Sequence, residues 1–166
     1  MKNSMLMTVL LAAALVAGCG DTEANKGSSD APRSDTTGAA IEAGAVGSYP
    51  AALAEARDTG RNVLIVYGST TCPWSRKMDE ETLADGEVRA ALRDFVVLKI
   101  DQGRNAAEFE KAWGKQTTPT VMTLDAEGKP IGRKLSGVVG KTDFLAYAAW
   151  AKSGTGPQPG IATGGG

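Results

Sequence analysis

Residues 70 to 75, Thr-Thr-Cys-Pro-Trp-Ser, carry the spacing in this 166-residue chain that is best suited to covalent chemistry. Cys72 stands between an apolar run and a helix expected to start at Pro73. Its sulfur would therefore face unpaired backbone N–H groups and the positive end of a helix, and both favour thiolate. Thiols in such settings have pKa values of roughly 3.5 to 7.5, against about 8.5 for free cysteine. Pro73 suits the first helical position, where its missing N–H is not needed. Ser75, in the first turn, is placed to donate its hydroxyl hydrogen to the sulfur. Arg76 and Lys77 either add positive charge there or project into solvent.

The rest of the composition narrows what that thiol can do. The chain has no histidine, which removes Ser-His and Cys-His pairs, imidazole bases and HExxH-type metal sites together. Two cysteines, Cys19 and Cys72, make no zinc cluster, so neither a metal nor another cofactor is expected. Lys plus Arg number 18 against 19 Asp plus Glu, with no basic block and no aromatic-basic interleaving, so no nucleic-acid partner is expected.

The two ends have different characters. Residues 1–18 show a positive start at Lys2, an apolar run from Met5 to Ala17 and a small-residue ending, which is a signal-peptide pattern too short to span a bilayer comfortably. Val16-Ala17-Gly18-Cys19 resembles the bacterial lipobox. That resemblance implies cleavage before Cys19, lipidation of its thiol and attachment to a membrane through the lipid. The expected location is the bacterial cell envelope, with the folded part facing the periplasm. Residues 19–47 are Gly, Ser, Thr, Ala, Asp and Lys with almost no large apolar side chain, and are expected to be a flexible tether. A coil of that length reaches on the order of 30 Å. Residues 153–166, with Gly-Pro-Gln-Pro-Gly and a Gly-Gly-Gly end, are expected to be a disordered tail.

Residues 48–152 alternate helix and strand, as the pattern of an α/β domain requires. Ser48-Tyr49-Pro50 predicts a helix start and Gly60 its stop. Val63 to Tyr67 and Phe95 to Ile100 are near-continuous apolar runs, as in strands buried on both faces. Helices are expected from the cysteine segment to about Ala84, over Glu87 to Arg93, and over Ala106 to Trp113. Val121 to Leu124 and Ile131 to Leu135 predict a hairpin about the turn Asp125 to Gly128, and Thr142 is expected to cap a last helix reaching Lys152.

Three features in this order, the apolar strand leading to Cys72-Pro73-Trp74-Ser75, the strand ending Lys99-Ile100-Asp101, and Thr117-Thr118-Pro119-Thr120 before the next strand, together resemble the thioredoxin superfamily. The resemblance implies a thioredoxin fold, with a mixed central sheet flanked by helices. It implies that Cys72 is the nucleophilic position and Pro119 a cis-proline, with the Thr118 backbone offering hydrogen bonds to an extended substrate segment. Trp74 would shape the substrate groove, or equally serve as a packing residue. The chain departs from the family pattern at three positions. Ser75 replaces the second active-site cysteine, Thr71 the usual aromatic, and Val66 the buried acid that assists dithiol release.

With Cys19 acylated, no resolving thiol remains in the chain. Cys72 is left with attack on a substrate disulfide to give a mixed disulfide that another thiol must resolve. The expected partners are therefore exported proteins bearing thiols or disulfides, and an external thiol reductant. The other reading keeps the fold as a redox-inactive binding or scaffold lipoprotein, with Cys72 a buried small hydrophobe.

Overall fold

The computed structural model describes residues 47–161, Thr163 and Gly164. The expected leader, the expected lipidation site Cys19 and nearly all of the expected tether lie outside the described residues. Among those described, no helix is long and apolar enough to cross a membrane.

Helix α1, Tyr49–Thr59, starts where expected, with Ser48 as its cap and Pro50 in the first turn. It leads through Gly60, in the left-handed region at φ 67°, into β1, Val63–Gly68. Helix α2, Pro73–Met78, continues into a π-helical turn, Asp79–Leu83, and then α3, Gly86–Leu92. Strand β2, Val96–Asp101, pairs parallel with β1 from Val63 opposite Val96 to Gly68 opposite Asp101. After α4, Ala107–Trp113, the strands β3, Thr120–Leu124, and β4, Pro130–Ser136, form the expected hairpin. A two-residue strand β5, Val138–Val139, precedes α5, Lys141–Ser153, and β6 is Thr163–Gly164.

The main sheet has the order β2-β1-β3-β4, with β3 antiparallel to both of its neighbours. Strand alternation divides the core between the two faces. Val63, Ile65 and Tyr67 pack with Ala52, Ala56 and Phe109 of α1 and α4. Leu64 and Val66 pack with Met78, Leu92, Phe144 and Tyr147 on the other side. Both faces are covered, so all of β1 as far as Tyr67 is buried, which is why its sequence lacks a polar alternation. Phe109 and Phe144 are fully buried, and each such burial stabilises by about 1.5–3 kcal/mol. Buried hydroxyls are bonded, Thr123 to the Tyr147 hydroxyl at 3.1 Å and Thr82 to the Val139 carbonyl at 2.7 Å.

Two expectations need correction. The last helix begins at Lys141 with Gly140, in extended conformation, as its cap, and no side chain caps it; Thr142 already lies inside the first turn. Lys141 is held instead by ion pairs to Asp85 at 3.0 Å and Glu87 at 3.3 Å, which tie α5 to the start of α3. The segment after Ser153 also differs from a tail without structure, because its described residues fold back on the sheet and end in β6, antiparallel to β5. An edge that already exists supplies backbone partners to a segment too poor in apolar residues to order itself.

Candidate functional site

Cys72 is the N-cap of α2, in extended conformation at φ −85° and ψ 119°, and its side chain makes no capping hydrogen bond. Three elements fix that position. The Thr70 N–H donates to Asp101 Oδ2 at 2.9 Å, fastening the loop before the cysteine to the end of β2. Asp101 Oδ1 accepts from Gly103 N–H at 2.8 Å, and Asn105 Oδ1 accepts from Asp101 N–H at 2.8 Å, so the carboxylate is itself oriented. The Cys72 N–H bonds the Ser69 carbonyl at 3.1 Å, closing a tight turn. Sequence reading uses Asp101 only as a spacing mark; the Asp-x-Gly-x-Asn pattern at 101–105 is the signal for its anchoring role.

Ser75 is 6% exposed and points inward. Its Oγ accepts from the Ser69 N–H at 3.2 Å. Gly68 makes room for it, since a Cβ there would lie 3.2 Å from Ser75 Oγ. With the oxygen so engaged, the hydroxyl hydrogen remains available to the sulfur.

The Thr118–Pro119 peptide is cis. It brings the Thr118 carbonyl to the cysteine, where the thiol form donates to it across 3.7 Å. Burial by itself pushes the Cys72 thiol up. In the thiolate form, hydrogen bonds donated by the Thr118 side chain, by the backbone N–H and side chain of Ser75 and by the Trp74 N–H outweigh it, and the thiol lies below its ordinary value. Arg76 and Lys77 are both exposed.

Cys72, Ser75, Thr118 and Pro119 therefore come together, with Trp74 beside them. Trp74 is 43% exposed, the one exposed large hydrophobic among the described residues, with Lys77 Nζ 5.8 Å from its ring centroid. It is not packed into the core. Beneath the loop lies a cavity of about 60 Å³ lined in part by Val66, Ser75, Met78, Asp101 and Pro119. Asp79 and Lys99 also line it and form an ion pair of 2.9 Å. Asp79 is thus partnered across the helix–sheet boundary, whereas Val66 brings no ionisable group. Depressions of about 310 and 240 Å³ elsewhere hold no nucleophilic thiol.

Comparison with known proteins agrees with this geometry. The sequence model of the thioredoxin-like domain matches residues 49–152. A protein of Vibrio vulnificus named thiol:disulfide interchange protein DsbD is 29% identical over 99 residues, which is 57% of this chain and 17% of that protein. The chain thus spans less than a fifth of the length of the curated relatives it matches. Among solved structures, a thioredoxin from Thermus thermophilus superposes with a TM-score of 0.54 at 28% identity, covering 61% of this chain and 82% of that one. A putative disulphide-isomerase from Bacteroides thetaiotaomicron gives a TM-score of 0.54 at 22% identity, covering 66% of this chain and 91% of that one. The second likeness is one of fold.

Proposed function

Because the chain belongs to the thioredoxin-like domain family, matched over residues 49–152, we propose that it takes part in thiol–disulfide exchange through the single thiol of Cys72. The observation that carries this reading is the half-buried Cys72 sulfur, held between the Ser75 first turn and the Thr118–Pro119 loop with its pKa lowered. The Cys72 thiolate attacks one sulfur of a client disulfide. The client S–S bond breaks, its other sulfur leaves as thiolate, and a mixed disulfide to Cys72 forms. Ser75 cannot take the next step, so an external thiol attacks the mixed disulfide and regenerates Cys72. Repeated with a second external thiol, the exchange reduces the client and oxidises the donor by two electrons. Resolution by another client thiol isomerises the disulfide instead.

The measurement that tests this is the alkylation rate of Cys72 across pH. Only thiolate reacts, so a lowered pKa moves the midpoint of the rate profile to lower pH. The expected midpoint lies below the value of about 8.5 for free cysteine; one at or above it removes the physical basis of the proposal. The competing reading, a redox-inactive binding module, draws on Ser75 and Val66 standing where dithiol family members carry a thiol and an acid. It requires that Cys72 be dispensable.

The same proposal places the domain at a membrane of the bacterial envelope through lipid on Cys19, with exported proteins as clients. The sequence around Cys19 supports it. In cells fed labelled palmitate, the natural chain should carry label and Cys19→Ala should carry none; equal labelling of both would rule the anchor out.

A further inference from the structure

One buried hydroxyl, that of Tyr67, is the meeting point of the segments that flank Cys72. Tyr67 packs with the α1 and α4 half of the core, one position before Gly68 and the turn that carries the cysteine. The residue is fully buried, and its ring centroid lies 5.7 Å from that of Phe109. Its hydroxyl donates to Glu110 Oε1 on α4 and accepts from Gln102 Nε2 at 3.0 Å, both partners being half-buried. The Gln116 backbone N–H reaches the same oxygen. A buried hydroxyl needs one partner to offset its desolvation, and three segments converge on this one. Burial first, and then the bond to Glu110, hold the phenol above its ordinary value, so it stays a neutral donor while the Cys72 thiol ionises.

Each partner leads on to the thiol. Gln102 follows Asp101, whose carboxylate holds the Thr70 N–H, and the Gln102 N–H bonds the Gly68 carbonyl at 2.9 Å. Glu110 leads the other way, its carbonyl accepting from the Gly114 N–H at 2.8 Å where α4 ends. Gln116 then bridges back. Its Nε2 donates to the Trp113 carbonyl at 2.8 Å and the Gly114 carbonyl at 2.9 Å, while Lys134 Nζ of β4 donates to its Oε1. The Thr117 carbonyl accepts from Thr120 Oγ1 at 2.7 Å. These bonds tie down the chain from Trp113 to Thr117, and Thr118, the next residue, stands against the Cys72 sulfur. Tyr147, in the other half of the core, is the contrast: its hydroxyl accepts from Thr123, inside β3.

We propose that Tyr67 is a positioning residue for exchange at Cys72: through Glu110 and Gln116 its hydroxyl holds the Thr118 loop where Thr118 can hydrogen-bond the sulfur. The inference rests on the reading of Cys72 as an exchange site. Tyr67 takes no part in making or breaking bonds, and acts only through Thr118. Hydrogen bonds weaken steeply as their angle fails, so a donor on a loosened loop stabilises the thiolate less. Phenylalanine at position 67 fills the same space against Phe109 but lacks the hydroxyl that joins α4 to the end of β1.

The experiment follows alkylation of Cys72 by iodoacetamide across pH in the natural chain and in single variants. In Tyr67→Phe the midpoint should rise by about half a pH unit or more, because a donor to the thiolate is loosened. The midpoint is read rather than one rate, since a more basic thiolate is also the better nucleophile. Glu110→Gln keeps an oxygen for the Tyr67 hydroxyl and should not raise the midpoint. Glu110→Ala removes that oxygen and should raise it, whereas loss of a negative charge by itself would lower it. Tyr147→Phe also loses a buried hydrogen bond, but one with no link to Thr118, and should leave the midpoint in place. Thr118→Val removes the donor directly, so adding Tyr67→Phe to it should raise the midpoint no further. An unmoved or lower midpoint in Tyr67→Phe overturns the proposal. So does an equal rise in Tyr147→Phe, which makes stability the cause, or full additivity with Thr118→Val, which removes the route. Mixed-disulfide formation between the natural chain and a disulfide-bearing peptide is scored separately. Its absence overturns the exchange reading, while the midpoints still decide whether Tyr67 holds Thr118 against the sulfur.

Discussion

Replacing Cys72 by serine is expected to abolish covalent capture of clients completely while leaving the fold as stable as before, or more so. Loss should be total rather than partial because a serine hydroxyl needs a base to attack anything, and the chain has no histidine to serve as one. Stability should move the other way. Cys72 occupies the N-cap of α2 without making a capping hydrogen bond, and serine is among the preferred residues there. A new bond to the first-turn N–H groups is worth about 0.5–2 kcal/mol in measured caps. Against it stands the loss of a 3.7 Å sulfur contact to the Thr118 carbonyl, which a neutral thiol makes weakly. The two readouts are mixed disulfides trapped in cells and the midpoint of denaturant unfolding. Capture that survives in Cys72→Ser would place the chemistry elsewhere. A large fall in stability would mean that Cys72 is a packing residue, as the binding-module reading holds.

The parts of this architecture that depend on local chemistry are legible in the sequence. Val63 to Tyr67 reads as a doubly covered strand because burial on both faces leaves no position for a polar residue. Ser48 and Pro50 mark a helix start because only the first turn tolerates a missing N–H. The site is legible where residue type and order suffice, at Cys72-Pro73 and at Thr118-Pro119, although the resemblance, not the spacing alone, suggests that these two loops meet. What stays hidden depends on contacts between distant residues. Asp79 looks like one more charge on a helix face, and only the sheet brings Lys99 within 2.9 Å of it. Gln158 lies in a stretch whose composition reads as disorder, and its order comes from an edge residue 25 positions earlier. The cap of α5 is misplaced by sequence because Thr142 is the better capping residue by type, whereas Lys141 is fixed from outside the helix by Asp85 and Glu87.

Ser75→Cys should convert a thiol that needs another molecule for release into one that releases itself. The two positions are three residues apart, with Cys72 as the N-cap of α2 and residue 75 in its first turn, and the Ser75 side chain is among the groups that hydrogen-bond the Cys72 sulfur, so a sulfur at position 75 stands within reach of Cys72 Sγ. The buried pocket around Ser75 borders a cavity of about 60 Å³, which gives room for the larger sulfur. After Cys72 has captured a client, the introduced thiolate attacks Cys72 Sγ. The mixed disulfide breaks, the client leaves as thiolate, and an internal disulfide remains that an external reductant must open. Intramolecular attack carries an effective concentration in the millimolar range or above, so trapped client should become undetectable under conditions where the natural chain retains it. The environment sets a limit with a definite sign. Burial raises the pKa of a thiol, and Val66 offers no acid to accept its proton, so release should accelerate as pH rises through the introduced thiol's pKa. A client held as long by Ser75→Cys as by the natural chain, at every pH, would mean that position 75 does not reach the Cys72 sulfur, and a Ser75 hydroxyl that donates to that sulfur would fall with it.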